Sequence, residues 1–100
     1  KMPLQRYGFI VKSADLEMFK HHARLHSENF DMSIAGVSDV AQAELVAQEM
    51  ITKGIQLIEM CGGFTAEDAQ RVRDAINDHI PVGYVQYTDE ERARLQRELS

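Results

Sequence analysis

The chain has 100 residues, 44% of them hydrophobic and 27% charged, the size and make-up of a single folded domain spanning residues 1–100. Its formal net charge is −5 and its 11 Lys and Arg are interleaved with acids, as in "ERARLQRE", so no basic stripe is offered to a nucleic-acid backbone. No apolar run reaches the ~18 residues that cross a bilayer, and one cysteine excludes an internal disulfide framework.

With no recognisable signal peptide, the single cysteine points to the reducing cytoplasm, and neither nucleic acid nor membrane is expected as a partner. A domain this small buries only about two-thirds of the surface that its unfolded chain exposes. Self-association would bury more, so a homodimer is expected. Lys1 stands ahead of Met2, as a residue left by cloning would.

In chain order, "RYGFIVK" (6–12) predicts a first strand, rich in aromatic and β-branched residues. The segment from Ala14 to Asp31 predicts a helix with Leu16, Phe19, Ala23, His26 and Phe30 along one side. "MSIAGV" (32–37) predicts a second strand. Asp39 then caps a helix, with Gln42 as its capping-box partner. Val40, Ala43, Ala47, Met50 and Ile51 share one face of it, and Gly54 ends it. "GIQLIEMC" (54–61) predicts the third strand. Thr65 caps the next helix, where Glu67 and Asp68 suit the positive end of the dipole. Its inner face is Ala66, Ala69, Val72, Ile76 and Ile80, and Pro81 stops it. "PVGYVQY" (81–87) predicts the fourth strand. Thr88 and Glu91 open a peripheral C-terminal helix within 88–100, with a thin apolar stripe of Leu95 and Leu99 helped by Ala93.

Short apolar strands without clean alternation, separated by helices, predict an α/β fold. The expectation is a small doubly wound sheet of four mainly parallel strands, in flavodoxin-like or Rossmann-like order 2-1-3-4, with helices on both faces. Ligands of such sheets sit beyond the carboxyl ends of the strands, where the strand order reverses. That crevice would be lined by Ser13, by Ser38 and Asp39, and by Cys61, Gly62, Gly63, Phe64 and Thr65.

The "CGGFT" turn has two chemical readings and a bland one. A glycine pair lets the backbone take positive φ and lets a ligand approach closely. A helix opening after Thr65 would aim free N–H groups at an anion, or depress the pKa of the Cys61 thiol. The bland reading makes Cys61 a small buried residue before a tight turn. Glu59 is the sharper anomaly. Alternation puts it on the face of Leu57 and Cys61, in a strand the fold buries, so it must be paired, hydrated, or part of a site. There it would be a general acid or base beside Cys61. The stretch lacks the Lys and the spacing of a phosphate loop, and neither "GxGxxG" nor "GxSxG" occurs. His22 and His26 would share a helix face, but no third ligand joins them at a standard interval, so neither metal nor cofactor is expected.

The letters "GIQLIEMCGGF", followed by a helix and then "IPVGYVQY", resemble a family of small uncharacterised bacterial α/β proteins classed as a domain of unknown function, whose centre reads "IELCGGF" and whose last strand opens "PVG". The resemblance covers about Tyr7 to Tyr87 and is most specific at Glu59, Cys61, Gly62, Gly63 and Phe64. It implies a compact α/β domain and brings no established activity, cofactor or catalytic residue. From the residues themselves, the leading expectation is a domain that binds a small anionic ligand around the CGGFT turn. One alternative is a thiol-dependent isomerase or hydrolase using Cys61 with Glu59. The other is a structural homo-oligomeric module whose last helix makes the contact.

Overall fold

The structure, a computed structural model, describes residues 3–100; Lys1, taken as the cloning remnant, and Met2 lie outside the described residues. The chain runs β1 (Arg6–Lys12), β2 (His22–His26), β3 (Asp31–Val37), α1 (Val40–Thr52), β4 (Leu57–Met60), α2 (Ala66–Ala75), β5 (Val82–Tyr84) and α3 (Asp89–Leu99). The strands form one sheet in the order β2-β3-β1-β4-β5. β1 pairs in parallel with both β3 and β4, and β4 with β5, whereas β2 and β3 form an antiparallel pair. Among the described residues no helix is long and apolar enough to cross a membrane.

The sheet is α/β and mostly parallel, but it differs in strand count and order from the expected four-stranded 2-1-3-4 arrangement. The difference originates in the segment from Ala14 to Asp31, where helical spacing misleads. The Leu16 N–H closes a turn onto the Ser13 carbonyl at 3.0 Å, and the His21 N–H closes another onto the Glu17 carbonyl at 3.1 Å. Phe19 sits between them at φ 64, a left-handed conformation that ends any helix. The chain then runs as β2 along the free edge of β3. A four-residue loop joins the two strands, with the Ser27 N–H donating to the Phe30 carbonyl at 2.8 Å. A ladder of backbone hydrogen bonds to β3 and a bidentate Arg24–Asp31 ion pair outweigh a weak local preference for helix.

The remaining elements stand close to their predicted positions, though β5 covers only Val82–Tyr84 of the expected 81–87, and their ends have local causes. The Asp39 carboxylate accepts the Gln42 N–H at 2.9 Å and caps α1. Gln42 does not close the box; its side-chain oxygen instead accepts the N–H groups of Ser38 and Met18. Gly54, at φ 76, ends α1 in the left-handed conformation that glycine adopts without strain. Thr65 and Asp68 do form a reciprocal capping box at the start of α2. That helix stops at Ala75, short of Pro81, because Asn77 and Asp78 both take left-handed φ.

Register and alternation divide the strand side chains between two faces. Ile10, Val37, Ile58, Met60 and Val82 share one face and are all buried. They pack with Ala43, Val46, Ala47 and Met50 of α1 and with Ala69 and Val72 of α2 in a single core. Gly8 belongs to this face, and its lack of a side chain admits Met50, whose Sδ would lie 2.7 Å from an added Cβ. Tyr7, Phe9, Val11, Met32, Ile34, Leu57 and Glu59 occupy the opposite face and are only half-buried. Both α1 and α2 thus lie on one side, and among the described residues no helix covers the other.

Adjacent residues of β4 test this one-sidedness. Ile58→Ala, at a position with no exposed surface, should cost about 2–5 kcal/mol in urea denaturation. In dilute solution, Leu57→Ala on the bare face should cost less than about half as much. Equal losses would mean that the second face is covered within one chain.

Candidate functional site

The bare face carries a polar centre in apolar surroundings. Phe9 of β1 is in register with Glu59 of β4, so Tyr7, two residues earlier on the same face, lies diagonal to the carboxylate. The Tyr7 hydroxyl donates to Glu59 Oε1 at 2.5 Å. This answers what meets the anomalous glutamate: a phenol on the neighbouring strand. The Tyr7 ring stacks with Phe30 of the hairpin loop, 6.2 Å between centroids and 29° between planes. Burial, and after it the hydrogen bond and charge of Glu59, push the Tyr7 pKa up to about 12.

Cys61 follows just past the end of β4. Its N–H continues the ladder to the Ile10 carbonyl at 3.0 Å, and its side chain packs against the edge of the buried core. The thiol is half-buried, neither sealed in the core nor fully open, and Sγ accepts the Lys12 N–H at 3.3 Å. The Lys12 ammonium lies 5.2 Å from the centroid of the Phe64 ring, a cation–π contact. Phe64 itself is a core residue with 4% of its surface exposed.

The other residues expected at the strand ends serve the backbone. Neither Gly62 nor Gly63 has positive φ. A Cβ at Gly62 would lie 2.8 Å from Cζ of Tyr87, whose part-exposed ring packs across it and would have to move. Thr65 and Asp68 already satisfy one another at the start of α2, and Glu67 adds a second carboxylate. An anion there would meet two acids. Ser13 donates its N–H to the Val37 carbonyl at 3.0 Å, and the Ser38 N–H goes to Gln42. Ser13, Ser38, Asp39, Gly62, Gly63 and Thr65 therefore do share the carboxyl ends of the parallel strands, but as turns and caps, while Phe64 turns into the core. His22 and His26 lie on a strand rather than a helix, roughly 13 Å apart along it.

A residue set that sequence reasoning missed lies on the helix-covered face. A hollow of about 350 Å³ separates the outer flank of α1 from the β2–β3 hairpin. Its α1 wall is Val46, Glu49, Met50 and Lys53, spaced i, i+3, i+4, i+7. That periodicity was visible in the sequence, but it signals a helix face, not what the face leaves empty.

Residues 5–100 match the profile described as "Family of unknown function (DUF6506)". No curated protein and no solved structure matches the chain.

Ultraviolet titration of the three tyrosines should show Tyr7 ionising near pH 12, against about 10 for a free phenol. The folded value lies above the unfolded one. The stabilisation from keeping the phenol protonated is therefore complete below about pH 10 and lost as the pH rises through 12. Glu59→Gln should move the Tyr7 transition part of the way back, because burial, the larger cause, remains.

Proposed function

We propose that this chain, which belongs to the DUF6506 family of unknown function, is a small-molecule-binding domain that works as a homodimer closed through the bare face of its sheet. The site is built around Tyr7 and Glu59, with Cys61 just past the end of the same strand. One observation carries the reading: a largely parallel sheet has helices on one side only, and a tyrosine–glutamate pair stands on the apolar face that is left. Parallel sheets are found almost only with both faces covered.

The surface supports a missing partner of standard size. The chain exposes 6674 Å², whereas a folded protein of this length exposes about 5,800 Å². The excess, about 900 Å², is close to what each partner contributes to an ordinary stable interface. The radius of gyration, 14.1 Å, likewise exceeds the ~13 Å usual for this length. α3 accounts for part of this. It has 11 residues and buries none of them, with Leu95 and Leu99 exposed. Arg94 pairs locally with Glu90 and Glu91, but isolated helices shorter than ~12–15 residues are marginal in water. A second copy is the natural partner, because a twofold interface needs only one self-complementary patch. Phe9, Val11, Met32, Ile34 and Leu57 provide an apolar one.

Closure would remove the Tyr7–Glu59 pair from water and favour a ligand that donates a hydrogen bond to the carboxylate. The anionic ligand expected at the CGGFT turn would have Lys12 as its cation, opposed by Glu67 and Asp68, so the open face is the better-supported place. A second reading, a thiol enzyme using Cys61 with Glu59, rests on the two residues standing two positions apart at the end of β4. It requires a Cys61 thiol that alkylates readily in the folded chain.

Light scattering of the wild-type chain should give the mass of a dimer, and Ile34→Asp should give a monomer with unchanged far-ultraviolet circular dichroism. A wild-type monomer at all concentrations would overturn the reading. Deleting residues 88–100 separates the contributions: a truncated chain that stays dimeric assigns the interface to the sheet, and a monomer assigns it to α3.

A further inference from the structure

The hollow beside α1 is on the opposite side of the sheet from Tyr7 and Glu59, so nothing said of it depends on the dimer. Its origin is topological. The sheet has five strands, and the two helices packed on it cover β1, β4, β5 and the inner part of β3, leaving the β2 margin free. The floor there is Ser33 and Ala35, side chains too small to reach the helix, against a wall of Val46 and Met50. The hollow opens to solvent between the hairpin and the helix and would hold roughly ten waters.

The rim has a definite chemistry. Phe19 is held at the mouth with half its surface exposed. The Arg24 guanidinium is fixed by Asp31 through Nε at 2.8 Å and Nη2 at 2.7 Å, which leaves the Nη1 hydrogens without an acceptor among the described residues. Lys53 stands across the opening, 3.1 Å from Glu49, and His22 borders the same space. A guanidinium with two spare N–H groups and a lysine, each already paired with one carboxylate, beside Ala35, Val46, Met50 and an aromatic ring, match one kind of guest.

We propose that this hollow binds a small molecule with an apolar body and a single anionic head, carboxylate or phosphate, the body lying on Ala35, Val46 and Met50 and the head meeting Arg24 and Lys53. A volume of about 350 Å³ is at the small end of the ~300–1,000 Å³ range of small-molecule sites. It is too small for the α3 helix of another copy, which at about 10 Å across and 1.5 Å per residue would need over ~1,000 Å³.

The test is amide chemical-shift mapping of the intact chain with benzoate, phenyl phosphate and the neutral control benzamide. Benzoate or phenyl phosphate at up to ~10 mM, a range suited to fragment-sized probes, should shift the amides of 22–24, 33–35 and 46–53. The anion preferred between the two assigns the head group. Benzamide should bind at least about tenfold more weakly, the scale of one charge-assisted hydrogen bond. Arg24→Gln and Lys53→Gln should each weaken the anions by a similar factor, and Ala35→Leu should abolish the shifts. Ser33→Leu fills the same space should Ala35→Leu fail to fold. Shifts confined to other residues, equal binding of benzamide and benzoate, or no shifts at all would each overturn the proposal.

Discussion

Which face of the sheet the helices cover is the constraint from which the rest of this structure follows. The connections β3-α1-β4 and β4-α2-β5 both step across the sheet in the same direction. Right-handed crossovers stepping the same way must place their helices on the same face. Only the connection from β1 back to β3 steps the other way, and only a helix there would have covered the second face. The chain instead spends that segment on β2, an edge strand with all five residues exposed. The core is consequently one-sided. Ile10, Ile58 and Met60 are fully buried, while their strand neighbours Phe9, Leu57 and Glu59 are half-buried.

The same constraint changes the meaning of Glu59. In a sheet covered on both sides, a carboxylate on the central β4 would be taken far from water, and burying it unpaired would be costly. On a face that no helix closes, it keeps partial hydration and needs only the one strong donor that Tyr7 supplies. The group becomes chemically interesting when something covers it. Its partner is then a phenol already driven towards its protonated form, inside an apolar ring of side chains. Cys61, two residues on, packs against the core at the end where Tyr87 lies over Gly62 and Lys12 over Phe64.

The two faces differ in how their empty space arises. On the bare face it is the absence of a whole layer, large and apolar, the kind of surface that another protein surface fills. At the β2 margin it is a narrow gap between one helix and a hairpin, with small side chains below and fixed charges at the mouth. The Arg24–Asp31 pair belongs to both the fold and the gap. It ties the hairpin strands together, and the guanidinium also holds the Asp31 carboxyl below the usual carboxylate range.

Local chemistry was legible in the sequence wherever a few adjacent residues decide the outcome. Asp39, Thr65 and Thr88 cap helices through their own side chains, Gly54 ends α1, and the apolar runs at β1, β3, β4 and β5 become strands. Alternation alone put Leu57 and Glu59 on the face opposite Ile58 and Met60. Three things required the folded chain. The segment holding β2 reads as a helix until the free edge of β3 is there to pair with it, because backbone hydrogen bonds to a distant strand outweigh a small difference in local propensity. The partner of Glu59 lies 52 residues away in the sequence, and the hollow beside α1 is bounded by segments that meet only in the tertiary structure. By itself, then, the sequence determined the elements, their caps and the alternation of their side chains, all of which act over a few residues. The tertiary structure alone decided which face went uncovered, because that depends on the direction each connection takes across the sheet.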